Sequence, residues 1–128
     1  MEPPARALQQ GAGLSSARHV YKIVPAPLWR ESERAGTFHG SPVDLRDGFI
    51  HFSTAAQVGE TAAKHFAGVE DLLLVAVRPE ALDIRWEPSR GGDLFPHLYA
   101  PLAIKHVHSI RPLPWREGAH DFPKDIPS

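Results

Sequence analysis

The stretch "DLLLVAV", residues Asp71–Val77, decides the fold. Six successive apolar positions leave neither face of a strand for water, so both faces need covering, as in a central strand. Reading upstream, "HVYKIVP" (His19–Pro25) is β-branched and aromatic and reads as a strand. "PLWRESERAG" (Pro27–Gly36) reads as a short helix, with Pro27 in its first turn and Gly36 at its C-terminal cap. "GFIHFS" (Gly48–Ser53) is a strand. Thr54 then opens a second helix, with Gln57 completing a capping box and Ala55, Val58, Ala62 and Phe66 at helical spacing up to Gly68. Downstream, "LDIRWE" (Leu82–Glu87) alternates, Gly91–Gly92 makes a turn, and "LFPHLYAPL" and "AIKHVHSIRPL" (Ala103–Leu113) read as further strands. About six strands and two helices, without regular βα alternation, predict an α+β fold: a small curved sheet, mixed or antiparallel, with the helices packed on it.

The chain has 128 residues, enough for one domain with a modest core. Residues 1–18 lack an apolar period and are expected to form a mobile arm. Residues 19–115 carry the domain, and residues 116–128, with two prolines and little to bury, are expected to be a mobile tail. A net charge of -1 gives no electrostatic pull toward nucleic acid or an anionic membrane. The absence of cysteine excludes disulfides, thiolate catalysis and Cys-ligated zinc. No apolar run approaches the roughly 20 residues that span a bilayer, and the first residues lack the apolar core of a signal peptide. A cytoplasmic location is expected.

Two histidines interrupt apolar strands in matching ways. His51 shares its strand face with Phe49 and Ser53, and His97 shares its face with Phe95 and Tyr99. If the two strands lie close, they make an aromatic-walled pocket with two imidazoles and several hydroxyls, suited to a planar ring or a ribose. Each histidine alone could equally be a core residue hydrogen-bonded to backbone. Pro96, which cannot donate to a ladder, argues for an edge or a bulge beside His97. Glu87, Arg90 and Asp93 bracket the Gly–Gly turn; Arg90 could hold a phosphate there, or the turn could simply be solvated. His106 and His108 form an H-x-H that could chelate a metal with a third ligand, although histidines on a strand surface give the same pattern. No metal site is assigned. Trp29, at the first turn out of the sheet, is the tryptophan best placed to line a pocket.

"YKI", Trp29, "DGFIHFST", Gln57, "SRGGDLFPHLY" and "PL" together resemble the bacterial family known as domain of unknown function 952, over about residues 19–115. That family is in turn remotely similar to the ADP-ribosyltransferase-like superfamily, whose members use NAD between two curved sheets. The resemblance implies that Tyr21–Lys22 occupies the first ribose-binding position and that His51, Ser53 and Thr54 occupy the second. His97 stands near the third, where a carboxylate is usual; Glu87 is the nearest one. On this basis His51, His97 and Glu87 are the expected catalytic residues. Tyr21, Lys22, Trp29, Ser53, Thr54, Arg90 and Tyr99 are the expected ligand contacts, and NAD or a related nucleotide is the expected ligand. A non-catalytic module for a small metabolite, and a His-ligated metal protein, are the alternatives.

Overall fold

The computed structural model describes residues 18–128; the arm expected at residues 1–18 lies outside them but for Arg18. In chain order the elements are β1 (Val20–Pro25), α1 (Ala26–Ala35), β2 (Thr37–Phe38), α2 (Pro42–Asp47), β3 (Ile50–His51) and α3 (Ala55–His65). β4 (Leu72–Val77), β5 (Ile84–Pro88), β6 (Leu94–Leu98), β7 (Leu102–Ala103), β8 (Val107–Leu113), β9 (Trp115–Arg116) and β10 (Ala119–His120) follow. The α+β class holds. The strands are divided, however, between two antiparallel three-stranded sheets, β1-β4-β8 and β3-β6-β5, with β2 and β7, and β9 and β10, paired separately.

β4 is the centre of the first sheet, and all six of its residues are buried. Its alternate side chains serve two cores. Leu73, Val75 and Val77 join Val20, Val24, Trp29 and Phe38 on one face, where Ile50, Phe52 and Leu98 of the second sheet also pack. Leu72, Leu74 and Ala76 join Tyr21, Ile23, Val58 and Ala62 on the other, under α3. The unbroken apolar run is the sequence trace of a strand covered on both sides.

In the second sheet, His51 lies directly opposite His97, Arg85 opposite His97, and Glu87 opposite Phe95. Ile50 and Leu98 turn into the core, so the period of two sends His51, His97, Arg85 and Glu87 to the other face. β6 is the middle strand of this sheet, which excludes the edge among the two possibilities, edge or bulge, that Pro96 suggested. The proline is accommodated because its carbonyl accepts from Phe52 N at 2.9 Å, while the N–H it lacks would have returned the second bond of that pair. The β3–β6 ladder therefore ends one residue past the histidine pair. The chain crosses to β1, where Ser53 and Tyr21 exchange two backbone bonds of 2.7 and 2.9 Å. That bridge joins the two sheets.

α1 ends at Gly36, whose φ of 83° places it in the left-handed region and lets its N–H reach the carbonyls of Ser32 and Glu33. α3 begins with the capping box of Thr54 and Gln57. The expected tail packs instead of standing free. β9 and β10 form a hairpin, Phe122 and Ile126 lie half-buried against the second core, and the Tyr21 hydroxyl donates to the Pro127 carbonyl. Two apolar side chains spaced four apart were too sparse a pattern to announce this.

Candidate functional site

The site is organised by α2, a six-residue helix. Ser41 caps it, Pro42 stands at its start and Asp44 sits at the third position, its carboxylate accepting from Ser41 N (2.8 Å) and Ser41 Oγ (3.0 Å). Gly48, with φ 89°, ends it. The cap would normally leave Asp44 at the surface, yet it is 1% exposed. Its carboxylate also accepts from Lys22 Nζ at 2.9 Å, from His51 N at 3.1 Å and from His51 Nδ1 at 2.6 Å. Gly40 makes room for it: a Cβ there would come within 2.8 Å of the Asp44 Cβ.

Burial by itself would push the Asp44 carboxyl up. The hydrogen bonds from His51, the charge and hydrogen bond of Lys22, and the Ser41 amide together outweigh it and hold the carboxyl well below the usual carboxylate range. For Lys22, burial is the larger effect and lowers its affinity for a proton, although Asp44 acts in the opposite direction. The two directions are consistent, because Asp44 has several donors and Lys22 has a single counterion.

Each histidine is held by a carboxylate, but differently. His51 presents Nδ1 to Asp44 and Nε2 to Asp47 Oδ2 at 3.0 Å, so both nitrogens are committed. His97 presents Nδ1 to Glu87 Oε1 at 2.7 Å, and no other side-chain partner takes it among the described residues. The Tyr99 hydroxyl donates to the same Glu87 oxygen at 2.8 Å. Hydrogen bonds from His97 and Tyr99 hold the Glu87 carboxyl below its ordinary value, and the bond to Glu87 in turn raises the Tyr99 phenol. The Phe49 ring lies across the group, 4.4 Å from the ring of His51, 4.3 Å from that of His97 and 5.0 Å from that of Tyr99. The two imidazole centroids are 5.5 Å apart.

Of these residues Lys22, Asp47, His51 and His97 border a cavity of about 580 Å³, beside the Tyr21–Ser53 bridge. Tyr21, Lys22, His51, Ser53 and His97 line it, so five of the expected site residues converge. Ser53 Oγ is paired with Thr61 Oγ1 at 2.9 Å. Four other expected contacts do not line the cavity. Trp29 is fully buried in the first core against Phe38, and its indole N–H is the one buried side-chain polar atom without a partner among the described residues. Thr54 spends its hydroxyl on the α3 cap, accepting from Gln57 N. Tyr99 and Glu87 stand behind His97 and orient it, with Arg85 over the Tyr99 ring at 5.2 Å. The Arg90 side chain lies outside what the structure describes.

His106 and His108 do not share a strand face. His106 belongs to the short turn before β8, and His108 on β8 stacks on His19 at 4.5 Å. No three side chains of metal-ligand type converge among the described residues. Among the described residues no helix is long and apolar enough to cross a membrane.

Sequence reading overlooked Asp44, Asp47 and Arg46, all on α2, and Ser41 before it. Their signal was present as "SPVDLRDG": a serine, a proline at the first helical position, a carboxylate three residues after the serine and a closing glycine.

The sequence matches, over residues 23–110, a family described as a protein of unknown function, DUF952. The chain belongs to this family. Two solved structures are similar to it. The crystal structure of protein CC0527 from Caulobacter crescentus has 45% sequence identity, covers 80% of this chain and 93% of its own, and superposes with a TM-score of 0.77. The solution NMR structure of CC0527 has 45% identity, covers 80% of this chain and 90% of its own, with a TM-score of 0.73. No curated protein matches the chain.

Proposed function

We propose that the cavity of this DUF952 protein binds a nucleotide of the NAD class. The observation that carries the reading is the open edge of β1 beyond the Tyr21–Ser53 bridge. β1 is an edge strand, and Tyr21 gives both its N–H and its C=O to Ser53 on the outer side. By strand alternation the N–H and C=O of Ile23 face the same side, and Ile23 lines the cavity. A neighbouring donor and acceptor on one residue match a planar amide or the edge of a base. A buried backbone group left unpaired costs about 1–3 kcal/mol, so a ligand that pairs both is favoured. Aromatic rings of Tyr21, Phe52 and Phe95 supply apolar walls, and the volume lies in the range of small-molecule sites.

The reading is binding first. In an ADP-ribosyl transfer a carboxylate should face the sugar carbon that becomes positive. Glu87 is the only expected candidate, and its Oε1 is engaged by His97 and Tyr99 away from the cavity lining. A non-catalytic pocket for another small metabolite fits the same walls.

Thermal-shift and calorimetric titrations with NAD, ADP-ribose, nicotinamide, AMP and non-nucleotide metabolites test it. A ligand at one hundred times its Kd stabilises the folded form by about 2.7 kcal/mol. NAD and at least one of its parts are expected to raise the melting temperature, and Lys22→Met and Ser53→Ala to weaken that response. If no nucleotide shifts the melt while a non-nucleotide metabolite does, the nucleotide reading is wrong.

A further inference from the structure

The two histidines look equivalent in sequence and are not equivalent in hydrogen bonding. His51 meets a carboxylate at each nitrogen, Asp44 at 2.6 Å and Asp47 at 3.0 Å. Carboxylates only accept, and with one beside each nitrogen His51 presents no unpartnered nitrogen to the cavity. His97 meets one carboxylate, Glu87, through Nδ1. When Nδ1 carries the proton toward Glu87, the lone pair is on Nε2. Although the residue is only 5% exposed, it lines the cavity, and Phe49 and the strand pairing fix its ring plane. Tyr99 pins the far side of the same carboxylate oxygen, so Glu87 is itself positioned.

We propose that His97 is a general base and that the protein catalyses transfer of an activated group to a hydroxyl in this cavity. His97 Nε2 takes the proton of the hydroxyl as its oxygen bonds to the electrophilic centre. The leaving group departs with its electron pair, and the resulting imidazolium, held against Glu87, returns the proton to solvent or to the leaving group. Glu87 is a positioning residue: it selects the tautomer and stabilises the charge that forms on the ring. His51, with a carboxylate beside each nitrogen, anchors α2 to β3. The proposal uses the same cavity as the nucleotide reading but does not depend on which ligand fills it.

Two measurements test it without a nucleotide. Ring nitrogen NMR of the free protein reads the tautomer directly: His97 should carry its proton on Nδ1 and leave Nε2 bare. Hydrolysis of p-nitrophenyl acetate reads the base. The wild-type rate should exceed that of His97→Gln by at least tenfold. Glu87→Gln should fall between them and lose the tautomer preference, and the control His106→Gln, at a residue that does not line the cavity, should match wild type. The source of the hydroxyl is read with ribose or AMP added: acetyl on the sugar marks a ligand hydroxyl as acceptor, and acetate alone marks water. A proton on Nε2 with Nδ1 bare would overturn the proposal. So would a folded His97→Gln variant that hydrolyses the ester as fast as wild type. Neither readout requires NAD to bind, so the base and the nucleotide site can fail separately.

Discussion

Replacing Asp44 by Asn tests whether α2 is held by its carboxylate. The side chain is 1% exposed and every neighbour within hydrogen-bond reach is a donor: Lys22 Nζ, Ser41 N, Ser41 Oγ, His51 N and His51 Nδ1. Asn fills the same volume with one acceptor and one donor, so at least one donor meets another donor and Lys22 keeps its charge with no counterion. Removing one partner of a buried pair costs about 3–5 kcal/mol. For a domain of this size that corresponds to a fall in Tm of roughly 12–20 °C. Lys22→Met should cost less, about 1–3 kcal/mol, because Asp44 then still has Ser41 and His51. The order of the two variants, measured by denaturant melts, is the sharper result. The acid limb gives an independent check. Asp44 is held below its unfolded value, so its contribution is complete above about pH 4 and is lost as pH falls toward the depressed folded value. The gap between wild type and Asp44→Asn should therefore narrow as pH drops below about 4. An Asp44→Asn protein that melts within 1 kcal/mol of wild type, with no such narrowing, refutes the view that this carboxylate holds the site.

Two further substitutions probe the surroundings. Gly40 has φ +123° and its missing Cβ would lie 2.8 Å from that of Asp44, so Gly40→Ala should destabilise by about 1–3 kcal/mol and weaken any ligand response in the thermal-shift assay; an unchanged melt would show that α2 shifts freely. Phe122→Ala and Ile126→Ala should each lower stability by about 1–2 kcal/mol, since both side chains are half-buried on the second core. Limited proteolysis that cut after Arg116 as fast in wild type as in these variants would show that the segment is not docked.

What could be read in the sequence was what local periodicity encodes. β1, β4 and the two main helices announced themselves through alternation, capping residues and an unbroken apolar run. The pairing of His51 with His97 was legible as a condition, because equal spacing to neighbouring aromatics fixes the face of each strand but not which strands are neighbours. The division into two sheets was not legible, and neither was the Tyr21–Ser53 bridge that joins them, made by backbone atoms that carry no sequence signal. Pro96 was read as unable to donate to a ladder and so as marking an edge or a bulge; the strand that carries it is central. A central strand tolerates it here because its partner strand β3 is only two residues long. Trp29 was misplaced for a simpler reason: its distance along the chain from the first turn says nothing about which side of β1 the helix packs on.

The hub of the site escaped because its partners are distant in sequence. Asp44 binds Lys22, 22 residues earlier, and His51, seven later, across three different elements. Read locally, Asp44 is the third residue of a capping box, an exposed position on a short surface helix. Its burial follows only after Lys22, on the cavity wall, has been brought beside it and Gly40 has left the space. The same geometry explains why the two histidines differ. The seven-residue path from Asp44 to His51 also passes Asp47, four residues before His51, so His51 is held from both sides. His97 draws its carboxylate, Glu87, from the adjacent strand β5, and among the described residues its other nitrogen has no side-chain partner. The asymmetry of the site is thus set by α2, whose Asp44 and Asp47 stand at the two nitrogens of His51 while His97 is left to Glu87 of β5.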